Sequence, residues 1–318
     1  MTTRLVELFA GVGAFRLGLE QALGRERVRT VYANDNSKLA CEWYQRWHGD
    51  TPDCCDVRTV ERLPDCDVLC AGFPCQTFSR AGLQLGVRDR KGRLFDETMR
   101  LLRTNPPPVV VLENVPRLLT LDNGAVHRHV SRSLATLGYL VHYRILNSAD
   151  YGAPQSRKRL FYVAVRPGHA FRWPEPVPSD KRRVLEDVLE PSPKFIARPD
   201  ITAGPPRYPS LSPASPPPRQ SRPVQMGYLQ DNRQGQRIYH ARGTAPTLTC
   251  WTPIRVYTDQ ERVRITKPRE MARLQAIPDE LPVPSSEQAA NSLFGNAVCV
   301  DVTREIFESL FLRKSEKF

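Results

Sequence analysis

Leu5–Leu8 is a short apolar strand that runs into Phe9-Ala-Gly-Val-Gly-Ala-Phe and then into a helical pattern from about Phe15 to Leu23, with Leu17, Leu19, Ala22 and Leu23 in period. Strand, glycine turn, helix is the entry to a doubly wound α/β fold. Such a fold places its ligands at the carboxyl ends of its strands, so the ends of the following strands are where chemistry is expected. Gly11 and Gly13 let main chain approach a ligand closely. A dinucleotide fingerprint needs a third glycine where Arg16 stands. A small nucleoside cofactor without a pyrophosphate fits the turn better than a nicotinamide dinucleotide.

The later strand ends carry reactive residue types. Val28–Ala33 is the second strand; Asn34-Asp35-Asn36 ends it and caps a helix over Ser37–Trp47. Asp35 stands where an acid binds ribose hydroxyls in such folds, and it also reads as a plain helix cap. Asp56-Val57 precedes a helical turn and the apolar strand Val68–Ala71. That strand breaks at Gly72, is stiffened by Pro74, and delivers Cys75. A thiol on a stiff turn at a strand end is a candidate nucleophile, although cysteines are more often buried small hydrophobes. Thr77–Arg93 is polar and weakly patterned and reads as a surface loop able to act as a lid. A helix is expected over Leu94–Arg103. Val109–Leu112 is a buried strand that delivers Glu113 to the same sheet edge as Cys75, as a functional carboxylate or as a turn residue.

A helix over Ala125–Leu137 closes at Gly138, followed by strands Leu140–Leu146 and Leu160–Val165. Between them Gln155, Arg157 and Arg159 alternate, which in an extended strand puts three long donors on one face. They could hold a phosphate or a base edge, or form a solvated edge. Fourteen of the 29 prolines fall between Phe171 and Pro223, interrupted by one expected helix over Lys181–Leu189. This segment reads as a hinge and wrapping connection into a second domain. Gly227–Arg264 is β-like, Thr266–Ala276 a helix with Pro268 in its first turn, and Gln288–Leu293 a helix. Phe294–Val298 is expected as a turn into the terminal helix Val300–Leu312.

Composition narrows the function classes. At 318 residues and 40% hydrophobic content the chain supports one sizeable core and a smaller lobe. No apolar run reaches the roughly 18 residues of a membrane span, and the N-terminus does not have the form of a signal peptide. The eight cysteines are expected to be reduced. The irregular spacing of Cys66, Cys70 and Cys75, with no histidine near, argues against zinc. Net charge is +12, and Tyr151–Glu270 holds 21 Lys/Arg against 10 Asp/Glu. An excess so placed marks a polyanion-binding region, with nucleic acid the leading candidate.

Six motifs in order now carry a resemblance: Phe9-Ala-Gly-Val-Gly, Gly72-Phe-Pro-Cys75-Gln, Glu113-Asn-Val, Gln155-Ser-Arg157-Lys-Arg159, Pro268-Arg-Glu270 and Gly295-Asn296. Together they resemble the DNA (cytosine-5) methyltransferases of bacterial restriction–modification type over nearly the whole chain. The resemblance implies a Rossmann-like AdoMet-dependent methyltransferase sheet with a smaller, mostly β target-recognition domain. It allots 1–185 and 285–318 to the catalytic, cofactor-binding domain and 186–284 to target recognition. It makes Cys75 the nucleophile that adds to cytosine C6, Glu113 the donor at N3, and Arg157 and Arg159 the holders of ring oxygen, phosphate and loops. For S-adenosyl-L-methionine it implies Phe9, Gly11, Gly13, Asp35, Asp56, Val57, Pro74, Leu94 and Asn296. Ala297 departs from the serine that many members carry after Gly-Asn, which puts one cofactor contact in doubt.

The resemblance further implies that a cytosine is flipped out of double-stranded DNA beneath the Thr77–Arg93 lid. Gln234 would fill the vacated space and Arg237 would read a guanine or clamp a phosphate. Thr249 would sit in the recognition region, with Cys250-Trp251-Thr252 in a short second recognition loop. A monomeric, cytoplasmic bacterial enzyme is expected, nucleoid-associated through its DNA, with a cognate restriction endonuclease as a functional partner. A tRNA methyltransferase is disfavoured, because the Cys-Phe-Thr stretch of such enzymes is absent and about 90 residues separate Arg159 from Thr249. A non-catalytic regulator on the same scaffold would have lost Cys75 or Glu113.

Overall fold

Seven strands account for the first half of the chain: β1 (Thr3–Leu8), β2 (Val28–Asp35), β3 (Asp53–Cys54), β4 (Val68–Ala71), β5 (Val109–Asn114), β6 (Leu140–Asn147) and β7 (Lys158–Val165). The structure, a computed structural model, describes residues 2–74, 94–191, 195–196, 202–203, 218–228, 233–258 and 262–312. The seven strands form one sheet in the order β3-β2-β1-β4-β5-β7-β6. β1 pairs parallel with β2 and β4, and β4 with β5, while β7 runs antiparallel to β5. Strand order reverses between β1 and β4, which makes their carboxyl ends the topological switch point.

The inner strands are apolar on both faces, as a sheet covered on both sides demands. Val109, Val110, Val111 and Leu112 of β5 and Val68, Leu69, Cys70 and Ala71 of β4 are all buried. Each large aliphatic side chain so buried contributes about 1.5–3 kcal/mol. Helices α1 (Ala14–Leu23), α2 (Lys38–His48), α3 (Leu94–Thr104) and α4 (Ala125–Thr136) follow strands in the first half. α3 contributes Phe95, Met99, Leu101 and Leu102 to the same core cluster as β4, β5 and β7. The expected doubly wound α/β class is borne out.

The chain divides into two compact units. Unit 1 comprises 1–146, 158–174 and 302–318; unit 2 comprises 147–157 and 175–301. Unit 2 holds a six-stranded sheet of β8 (Phe195–Ile196), β9 (Thr202–Ala203), β10 (Gln225–Tyr228), β11 (Arg237–His240), β12 (Arg255–Thr258) and β13 (Arg262–Ile265), in the order β8-β13-β12-β11-β10-β9. Only β11 and β12 pair parallel; the other pairings are antiparallel. Helices α5 (Pro268–Leu274) and α6 (Glu287–Asn296) lie in this unit, and α7 (Val300–Phe311) begins in it.

Unit 2 contains a buried ion pair. Arg264 and Glu270 meet at 2.5 Å with both side chains almost fully enclosed, and Glu270 also accepts from the main-chain N–H groups of Glu190 (2.7 Å) and Lys267 (2.8 Å). Charges out of water persist only when paired and hydrogen-bonded in this way. The Pro-Arg-Glu stretch thus owes its glutamate to internal architecture.

Several local expectations are corrected. The helix over Lys181–Leu189 is two short 3-10 turns, Ser179–Lys181 and Leu185–Val188. Arg182 and Arg183 between them are drawn out to Asp150 (2.8 Å) and Asp301 (3.2 Å). Phe294–Asn296, expected as a turn, is the last turn of α6. The cap of α2 is Ser37, whose hydroxyl accepts from Ala40 N, and not Asn34–Asn36. The compact units also differ from the expected division at 185/186 and 284/285. α6 falls in unit 2 because Gly295 and Phe294 are bonded to residues of that unit, and 147–157 joins it for the same reason.

Candidate active site

The glycine turn after β1 is built from unusual backbone. Phe9 has φ 53°, Gly11 φ 58° and Gly13 φ 78°. A positive φ at a phenylalanine is strained and persists because its surroundings over-determine it. Beside Gly11 there is open space among the described residues, with none of their atoms within 4 Å of where a Cβ would stand. Gly13 is different: a Cβ there would stand 2.3 Å from His48 Nε2. The turn therefore presents main chain to one side and packs tightly on α2 on the other.

Asp35, at the end of β2, ties this turn to the next helix. One carboxylate oxygen accepts from Gly11 N at 2.9 Å and the other from Ser37 N at 2.8 Å. Burial pushes its pKa up, and the backbone N–H groups partly offset that. Asp56 accepts from Arg58 N at 3.0 Å and pairs with the Arg58 guanidinium, which holds its carboxyl below the usual range. Val57 beside it is buried, Leu94 is partly buried against the same core, and Pro74 is exposed. Gly11 with open space beside it and the Asp35 carboxylate bonded to its N–H stand at the switch point, where such a sheet binds its ligands. Asn296, on α6 in unit 2, is exposed, and its amide donates to Ser292 O at 2.9 Å.

Sequence reasoning missed the polar cluster beneath this turn. Glu7 of β1 is fully buried and accepts from Tyr44 Oη (2.8 Å) and Arg16 N (3.0 Å). Burial pushes its pKa up to about 7. His48 bonds Val12 O at 3.1 Å, and burial lowers its pKa to about 3, so the ring is neutral. Arg16 pairs with Glu20 (2.6 Å) and Asp50. The available signal was a single acid inside an otherwise apolar strand.

The catalytic candidates in unit 1 sit at neighbouring strand ends. Glu113 is the penultimate residue of β5 and Arg159 the second residue of β7, whose register pairs Asn114 with Leu160. Arg159 Nε lies 2.9 Å from a Glu113 carboxylate oxygen, both side chains largely buried. Gly72, just past β4, is adjacent: its Cβ position lies 3.6 Å from Glu113 Oε2. Asn114 Nδ2 donates to Phe73 O at 2.9 Å, fixing the path of the chain that leads to Cys75. Cys75 itself and the expected Thr77–Arg93 lid lie outside the described residues. Cys70 is fully buried with its thiol pushed well up, and burial pushes Cys66 and Cys41 up to about 12. None of these three is an available thiolate. Among the described residues no group of three or more His, Cys, Asp or Glu side chains could hold a metal.

Gln155, Arg157 and Arg159 do not share one strand face. β7 begins only at Lys158, and the first two residues turn into unit 2. Gln155 donates to Leu274 O (2.9 Å) and accepts from Leu248 N (2.7 Å). Arg157, only 3% exposed, donates to the carbonyls of Leu248, Gly295 and Ala297, each at 3.0 Å. Arg157 therefore braces main chain, whereas the alternating spacing grouped it with Arg159.

In unit 2, Gln234, Arg237, Thr249 and Thr252 line one small cavity with Thr247 and Ile254. Gln234 donates to Thr247 O at 3.0 Å, and Arg255 donates to Gly235 O. The two segments suspected of reading DNA are thus side by side. The basic excess is partly consumed internally: Arg182, Arg183, Arg219, Arg264, Lys267 and Arg273 all pair with acids.

The chain matches the family described as C-5 cytosine-specific DNA methylase over residues 3–312. It is 34% identical to the Type II methyltransferase M.HhaI of Haemophilus parahaemolyticus, covering 95% of this chain and 92% of the relative. It is 33% identical to the Type II methyltransferase M.NlaX of Neisseria lactamica, covering 96% of each. Among solved structures, the S. pombe Dnmt2 methyltransferase superposes with TM-score 0.73 at 19% identity, covering 97% of this chain and 98% of that one. A putative DNA modification methyltransferase from a prophage of E. coli gives 0.73 at 18% identity, covering 98% and 99%. At these identities the structural likeness speaks for the fold alone.

Proposed function

The chain belongs to the C-5 cytosine-specific DNA methylases, and from that premise we propose that Cys75, Glu113 and Arg159 perform the transfer on a cytosine flipped from duplex DNA. The family uses S-adenosyl-L-methionine, which when bound supplies an activated methyl group on a sulfonium. The observation that carries the reading is the Arg159–Glu113 pair beside Gly72, at the strand end from which the chain leads to Cys75.

Cytosine C5 is too weak a nucleophile to accept a methyl group directly. The thiolate of Cys75 adds to C6 and forms an S–C6 bond, which makes C5 an enamine carbon. Glu113 delivers or shares a proton at N3, where charge accumulates during the attack. Arg159 holds the Glu113 carboxylate and approaches the ring oxygen. Once C5 carries the methyl group, loss of its proton returns the electron pair to the ring and expels Cys75 as thiolate. Phe9, Gly11, Gly13, Asp35, Asp56, Val57, Pro74 and Leu94 hold the cofactor. Asn296 is assigned to it on resemblance alone.

Gln234, Arg237 and Thr249 contact DNA, and Arg237 reads guanine. The enzyme acts as a monomer in a bacterial cytoplasm, on nucleoid DNA, alongside a cognate restriction endonuclease. Purified protein incubated with tritiated S-adenosyl-L-methionine and duplex DNA should label the DNA. Cys75→Ser should abolish labelling and keep DNA binding; labelling within tenfold of wild type would remove Cys75 from the mechanism. DNA carrying 5-fluorocytosine at the target should give a denaturant-stable adduct, because fluorine cannot leave as a proton does. Arg237→Ala should broaden the methylated motif at one position if it reads a base, and weaken all sequences alike if it clamps a phosphate.

A further inference from the structure

Trp251 is 84% exposed, and it is the most exposed of the large hydrophobic side chains among the described residues. The other three tryptophans are occupied. Trp43 and Trp47 are buried in α2, and Trp173 lies between Phe171 (4.9 Å between centroids) and the Arg144 guanidinium (5.5 Å). An indole left in water loses the benefit of its large apolar area. That is ordinary for a scattered surface residue on a mobile loop, but this loop is clamped.

Three contacts hold it. Thr249 and Thr252 hydroxyls meet at 3.4 Å across the turn that carries Trp251. A Cβ on Gly295 would stand 2.3 Å from the Thr249 carbonyl carbon, so α6 presses directly on the loop's main chain. A Cβ on Gly235 would stand 3.0 Å from Thr252 Cγ2, so the segment carrying Gln234 and Arg237 presses on its other end. The indole is displayed on a stiff support, and the ordering entropy that a flexible contact would lose on binding is already spent. It stands two residues from Thr249, which lines the same cavity as Gln234 and Arg237.

We propose that Trp251 is a stacking residue for duplex DNA, placing its indole against a nucleobase left without its stacking neighbour when the target cytosine is flipped out, and supplying an affinity term that salt does not screen. The proposal rests on the reading of unit 2 as the DNA-recognition unit. Aromatic stacking on a base is tolerant of sequence but needs an exposed, oriented ring, which is what the clamped turn provides. Arginine contacts to phosphate weaken steeply with salt, whereas a stacked indole releases no counterions.

Tryptophan fluorescence tests it, because Trp251 is the one exposed emitter among four. Titrating wild type with duplex DNA should quench emission and shield part of it from acrylamide, and Trp251→Phe should lose most of both effects. Trp251→Ala should bind DNA about tenfold more weakly, with the slope of log affinity against log salt unchanged. Trp251→Phe should recover part of that loss, since a smaller ring still stacks. An unchanged quench in Trp251→Phe overturns the proposal, as does a Trp251→Ala variant with wild-type affinity, or one whose loss disappears at high salt. In each of these results the wild type still methylates duplex DNA, so recognition by unit 2 survives. A wild type that labels no duplex DNA strikes the underlying reading and the proposal with it.

Discussion

Asn114 donates from Nδ2 to the carbonyl of Phe73 at 2.9 Å, across from the end of β5 to the chain leaving β4. Its other amide atom, Oδ1, accepts from Val115 N, also at 2.9 Å. One buried amide thereby sets the distance between the segment that carries Glu113 and the segment that leads to Cys75. Asn114→Ala should lower kcat far more than its effect on cofactor affinity. It leaves a carbonyl without its buried donor, which costs about 1–3 kcal/mol of stability. Steady-state methylation with urea unfolding of the same preparation checks both. A kcat within a factor of two of wild type would show that the bond does not position the nucleophile.

Arg159 and Glu113 form the second link at this edge, at 2.9 Å. A guanidinium offers several donors in a fixed plane, so it can hold a carboxylate and a ring oxygen together. Lysine is a point charge and cannot. Arg159→Lys should therefore fold normally and lose about 10²-fold or more in kcat, the scale expected for a removed electrostatic donor. Rapid single-turnover methylation separates this from slower product release. Full activity in Arg159→Lys would reduce the residue to a simple counter-charge for Glu113.

Much of the framework was legible because it is local. The apolar runs of β1, β4 and β5, and the glycine turn after β1, are continuous in sequence, so strand, break and reactive residue could be read together. What was not legible depends on distant partners. Arg157 and Arg159 are two residues apart and chemically identical, yet one binds carbonyls contributed by 248, 295 and 297 while the other binds Glu113. No spacing rule separates them. Glu7 was missed because its partners Tyr44 and Arg16 come from two different helices. The helix expected at Lys181–Leu189 failed because its arginines find acids at 150 and 301, outside any local pattern.

Glu7 gives stability a pH dependence whose sign follows from its environment. Its folded pKa is raised to about 7 from 4.5, first by burial. Between those values the folded state binds more proton than the unfolded state, so stability falls as pH rises from about 4.5 through 7. The full loss, on the order of 3 kcal/mol, is present above pH 7. Glu7→Gln has no proton to lose and should flatten this part of the profile. Urea unfolding of both proteins at pH 5 and pH 8 measures it. The gap between variant and wild type should shift in favour of the variant at the higher pH. An equal gap at both pH values would mean that Glu7 keeps one protonation state throughout.

Gly295 stands where α6 meets the Thr249–Thr252 loop. A methyl group there would lie 2.3 Å from Thr249 C, 2.4 Å from Cys250 N and 2.5 Å from Thr249 O. All three are main-chain atoms, so no side chain can swing aside to make room. The Gly295 carbonyl also accepts from Arg157, which simultaneously holds Leu248 and Ala297, so α6 cannot withdraw without breaking that set. Gly295→Ala should therefore displace the loop rather than the helix, and cost about 1–3 kcal/mol as overpacking in a close contact does. The displaced loop carries Thr249 and Trp251, so DNA affinity and the methylated motif should both change. The Arg159–Glu113 pair lies in unit 1 and should be untouched. Methylation profiling on a random-sequence duplex library, with thermal unfolding in parallel, checks the prediction. A Gly295→Ala protein of lowered stability but unaltered motif and affinity would show that the loop is not held by this contact.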